Sequence, residues 1–70
     1  MEYTVILSWD DESQVWIATS PDILGLVLES GSFDALVERL TYAVPDLLEL
    51  NGLPEAKSIN IRSERKKVIA

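Results

Sequence analysis

The sequence predicts an α+β fold: a two-layer β-β-β-α-β domain, with an antiparallel sheet and one helix packed on one of its faces. Three observations carry this. Apolar residues alternate with period two near the N-terminus, from Glu2 to Trp9 and again from Gln14 to Ser20. A single long apolar stripe with a period near 3.6 follows, from Phe33 to Leu48. A short alternating segment, Ile59 and Ile61 among Ser58, Asn60 and Arg62, closes the order.

In the first strand Tyr3, Val5, Leu7 and Trp9 point one way, and Glu2, Thr4, Ile6 and Ser8 the other. Asp10-Asp11-Glu12-Ser13 interrupts the pattern as a hairpin loop does. The second strand sets Val15, Ile17 and Thr19 against Trp16 and Ala18. Pro21 donates no ladder hydrogen bond, so this strand ends near Ser20. Pro21 to Gly25 reads as a turn, and Leu26 to Glu29 as a third short strand. Gly31 after it is free to adopt positive φ.

Ser32 is a good helix N-cap, with Asp34 in the first turn, where the macrodipole favours negative charge. Phe33, Leu36, Val37, Leu40, Val44, Leu47 and Leu48 form the stripe. Pro45 falls inside it and removes a backbone donor, so the pattern predicts a kink or two helical pieces meeting near Val44. Asn51-Gly52 stops the helix and Pro54 follows. The fourth strand is expected near residues 57–63, within a basic strand or tail over 57–70.

Seventy residues suit one domain over 1–70. Such a domain buries only about 60% of its unfolded surface, and its core rarely supplies more than roughly 3–5 kcal/mol. Cysteine and histidine are absent, which excludes disulfides, thiol nucleophiles, imidazole bases and thiolate or imidazole metal sites. Neither a cofactor nor a metal is expected, and no enzyme activity. A partner therefore becomes the expected source of extra stability, with a homodimer as one form of it. Both faces of the first two strands carry large apolar groups, and one helix covers only one face. The other is left for a partner.

The net charge of −6 is unevenly spread. Residues 1–56 hold eleven acids and one base, Arg39, for −10; residues 57–70 hold five bases and one acid, for +4. The acidic body repels phosphate backbones and suits a basic partner. The basic end reads as a solvated edge strand, because no aromatic is interleaved with its cations as in a nucleic-acid patch. No apolar run is long enough to span a bilayer and no signal peptide is evident, so a cytoplasmic protein is expected.

Several residue groups have competing readings. Trp9 and Trp16 suit either hot-spot anchors or core packing against the helix. Asp10, Asp11 and Glu12 lack the spacing of a calcium loop and read as a solvated turn. Asp22 with Glu29 or Asp34 offers a carboxylate pair for acid–base chemistry; an Asx turn after Pro21 is the simpler account for Asp22. Tyr42, on the polar side of the helix, is either an isolated exposed aromatic or a dimer contact.

The segment Val15-Trp16-Ile17-Ala18, then Ser20-Pro21-Asp22-Ile23-Leu24-Gly25-Leu26, then Gly31 before the helix, resembles the HicB-like antitoxins. Those proteins commonly carry Pro-Asp-x-x-Gly, matched by Pro21, Asp22 and Gly25. The chain is more similar still to a small single-domain HicB-like family of uncharacterised prokaryotic proteins. Its helix end is matched by Val44-Pro45-Asp46-Leu47-Leu48-Glu49-Leu50-Asn51-Gly52. The likeness spans about residues 1–52. It implies an antitoxin-type domain that occludes a small basic RNA-cleaving toxin of the HicA type. Trp9, Trp16, Ala18, Ser20, Pro21, Asp22, Ile23 and Leu24 are the partner-binding residues expected. Full-length HicB proteins usually add a C-terminal DNA-binding module; a chain ending at Ala70 leaves no room for one, so direct nucleic-acid binding is not expected. A homodimer burying the spare sheet face is the alternative, and a carboxylate-dependent hydrolase a third.

Overall fold

A computed structural model describes residues 2–70. The order is β1 (Thr4–Asp10), β2 (Val15–Thr19), β3 (Val27–Ser30), α1 (Phe33–Leu50) and β4 (Asn60–Glu64), the β-β-β-α-β α+β architecture expected. The sheet runs β3-β2-β1-β4. β1, β2 and β3 form an antiparallel meander, and β4 joins β1 in parallel, so the sheet is mixed where a wholly antiparallel one was expected. The helix causes this. β3 runs with β1, α1 carries the chain back, and the next strand must again run with β1.

The core sits between the sheet and α1. Tyr3, Val5 and Leu7 from β1 and its approach, with Ala18 of β2, meet Leu36, Leu40, Val44 and Leu48 of the helix, and all are 3% exposed or less. The four helical residues recur every four positions, the spacing that holds one face toward the sheet. Burying a leucine-sized side chain contributes about 1.5–3 kcal/mol, so these positions dominate stability. Tyr3 brings a hydroxyl into this layer and donates it to the Pro54 carbonyl (2.7 Å). That bond pins the stretch linking α1 to β4.

Helix α1 begins as its sequence predicts. The Ser32 hydroxyl accepts from the Ala35 amide (3.2 Å). It ends in a Schellman arrangement: Gly52 N–H donates to Glu49 (3.1 Å) and Leu53 N–H to Leu48 (2.9 Å). Gly52 takes the left-handed conformation this requires, at φ +65°. The helix runs continuously through Pro45 and not as two pieces meeting near Val44. Pro45 and Thr41, whose carbonyl loses its intrahelical donor, are both exposed, so the lost bond lies on the solvent side.

Gly31 is not among the residues with positive φ; the left-handed positions are Gln14 (φ 56°), Gly25 and Gly52. Gln14 closes the β1–β2 loop and donates its side-chain amide to the Asp11 carbonyl (2.6 Å).

Candidate protein-binding face

The strand register divides the sheet into two faces. Leu7 faces Ala18 across β1 and β2, Trp9 faces Trp16, and Ala18 faces Leu28, so these residues share the helix-covered side. The other side carries Thr4, Ile6, Ser8 and Asp10 of β1, with Val15, Ile17 and Thr19 of β2. Val27 and Glu29 continue it on β3, and Asn60, Arg62 and Glu64 on β4.

None of the core packing reaches this second face. Ile6, Val15 and Ile17 are half-buried by their strand neighbours alone, and Val27 is 69% exposed. One row across the sheet reads Arg62, Ile6, Thr19, Val27, and the next Glu64, Ser8, Ile17, Glu29. Aliphatics therefore alternate with hydroxyls across the centre, and charges stand at both edges. Such a surface is soluble when open and has an apolar middle to bury on contact.

The expected partner residues divide among three places. Trp9 and Trp16 lie on the helix side, at the hairpin end of the sheet. They meet edge to face with centroids 5.4 Å apart, and Trp16 meets Phe33 at 5.0 Å. Trp9 donates its indole N–H to Asp11 (3.2 Å), and Arg65 stacks 4.4 Å above its ring. Ala18 and Ile23 are core residues at 0% and 1% exposure. Ser20, Pro21, Asp22 and Leu24 form the loop after β2.

The Ser20 hydroxyl organises this loop. It donates to the Thr4 carbonyl (2.5 Å) and accepts from the amides of Asp22 (3.0 Å) and Ile23 (3.2 Å). The Asp22 carboxylate accepts from the Thr4 amide (2.7 Å), tying the loop to the start of β1 in place of an Asx turn. Ile23 to Leu26 then close a turn (3.4 Å), with Gly25 at φ +86° in the position where a type II turn demands it. Asn51 donates its side-chain amide to the Leu24 carbonyl (3.0 Å), so the loop docks on the end of α1. Leu24 remains 82% exposed.

The partner residues expected from the sequence do not include Ile6, Val15, Ile17 and Val27, the aliphatics of the open face. The alternation already separated Val15 and Ile17 from Trp16. What it lacked was the pairing that joins them to Ile6 and Val27. Among the described residues no three acidic side chains gather in a way that could hold a metal ion, and no helix is long and apolar enough to cross a membrane.

A mixed four-stranded sheet backed by one helix, with the opposite face open, defines a small two-layer α+β domain. The chain belongs to the family described as Domain of unknown function (DUF1902), whose family model matches residues 2–69. It is also similar to a solved structure, that of hypothetical protein TTHA1013 from the extremely thermophilic bacterium Thermus thermophilus. The two share 33% identity and a TM-score of 0.77, over 100% of this chain and 99% of that one. No curated protein matches the sequence.

Proposed function

We propose that the domain binds a basic protein through the open face of its sheet, in the manner of an antitoxin that occludes a small RNA-cleaving toxin. The observation that carries this reading is that face itself: Ile6, Val15, Ile17 and Val27 stand on it without a covering layer. Charge supports the sign of the partner. The first 56 residues carry a net −10, and Asp10 and Glu29 lie on the open face. A basic partner would be steered toward such a body at long range and held by apolar contact at short range. The HicB-like order of motifs over residues 1–52 supports the choice of a HicA-type ribonuclease as that partner. Occlusion needs no chemistry from this chain, in keeping with its lack of histidine and cysteine. The reading implies a cytoplasmic role.

The test is co-expression with the product of a small basic reading frame adjacent to the gene. A stable complex and rescue of growth are expected. Ile17→Lys, which places a cation at the centre of the open face, should abolish both while the domain stays folded. Absence of a complex and of rescue with the unaltered chain would remove the proposal.

A further inference from the structure

The two edges of the sheet differ in a way the open face does not explain. The β3 edge is four residues long, and the Arg39 guanidinium already donates to its Glu29 carbonyl (2.9 Å). The β4 edge is five residues long and every residue of it is exposed. The Asn60 amide donates to the Tyr3 carbonyl (2.8 Å). Strand alternation therefore turns the amides and carbonyls of Asn60, Arg62 and Glu64 toward β1. Those of Ile61, Ser63 and Arg65 point outward, toward solvent. An edge of this kind is a template for another strand.

We infer that the β4 edge pairs with the β4 edge of a second copy of this chain, antiparallel and about a two-fold axis through Ser63. Two observations fix the occupant and the register. Only the outward-facing residues can exchange ladder bonds, so Ser63 meets the partner's Ser63 and Ile61 meets the partner's Arg65. In that register Arg62 stands opposite the partner's Glu64, and Glu64 opposite the partner's Arg62. Both fall at non-hydrogen-bonded positions, where side chains approach most closely. Sliding by one residue pair sets Arg62 against Arg62 in one direction. In the other it sets Glu64 against Glu64 and Arg62 against Lys66. Like charges directly opposite are destabilising. The strand is thus self-complementary in one alignment and repelled from its neighbours, which closes a dimer and discourages open-ended stacking.

The helix side of the same edge supplies the apolar part. A groove of about 250 Å³ runs between α1 and β4, lined by Val37, Val44, Ile59 and Ile61 among others, and Ile61 is 40% exposed. Beyond β4 lie Val68 and Ile69, 76% and 93% exposed. Both helices then lie on one side of a continuous eight-stranded sheet. The open faces of the two copies join on the other side and stay free for a partner protein.

Sedimentation of the full chain from micromolar to millimolar concentration tests this. The unaltered chain should be a dimer. Ser63→Pro removes an outward amide that β1 does not use, and should give a folded monomer. Arg62→Glu should weaken the dimer about tenfold or more, since it sets like charges opposite one another at both symmetric positions. The double swap Arg62→Glu with Glu64→Arg should restore it, a result that separates pairing from any loss of folding. Ile17→Lys on the open face should leave the dimer intact. A monomeric unaltered chain at millimolar concentration overturns the inference. A dimer that survives Ser63→Pro, or a double swap that fails to restore association, also overturns it. Loss of toxin binding with the dimer intact bears only on the open face.

Discussion

Both faces of the β1–β2 hairpin carry aliphatic side chains, but in different circumstances. Val5 and Leu7 are fully buried, while Ile6, between them, is only half-buried. On β2 the same holds for Ala18 against Ile17. Neighbouring residues of one strand, of similar hydropathy, are divided by whether α1 lies over them. The buried core beneath the helix has hardly any polar atom, and the Tyr3 hydroxyl within it finds the Pro54 carbonyl. The outer face dilutes its aliphatics with Thr4, Ser8 and Thr19. It is built to tolerate water and still profit from losing it. That combination is what supports proposing an interaction surface there.

Mutations sharpen the contrast. Leu40→Ala, which opens a cavity between sheet and helix, should cost about 3 kcal/mol. At roughly 4–8 °C per kcal/mol for a domain of this size, thermal denaturation should show the protein close to unfolding at moderate temperature. Ser20→Ala removes the oxygen that satisfies two amides and caps the Thr4 carbonyl. It should cost about 2 kcal/mol, and hydrogen exchange should rise at Asp22 and Ile23 first. Gly52→Ala meets no steric obstacle but places a side chain on a residue at φ +65°, so about 1 kcal/mol is expected in urea titration. Ile17→Thr on the open face should change stability by no more than about 0.5 kcal/mol. If Ile17→Thr proved as costly as Leu40→Ala, the open face would be part of the isolated domain's own core and the distinction would collapse.

Most of the secondary structure was legible along the chain. Ser32 announced the helix and caps it, and Asn51-Gly52 announced its end and closes it. Leu36, Leu40, Val44 and Leu48 announced the buried stripe. Local rules failed where a local preference was outweighed. Pro45 lies in unbroken helix, because the residues flanking it on the stripe are anchored in the core and the missing bond faces water. The loop after β2 is held by Ser20, whose hydroxyl reaches both its own loop and β1, whereas Asp22 was the residue that local turn chemistry singled out. Alternation groups Trp16 with Ala18 but does not say which side the helix takes.

By itself the sequence determined the element order, the caps, the helical stripe, the uneven charge and the absence of imidazole and thiol chemistry. These follow from backbone stereochemistry, side-chain period and composition, all of which act over a few residues or over the whole count. Tertiary structure decided that β4 runs parallel beside β1 and that the tryptophans join the covered side. It also decided that Ile6, Val15, Ile17 and Val27 converge on the open one. Those outcomes depend on contacts between residues far apart in the chain, and a period carries no information about which strand becomes the neighbour.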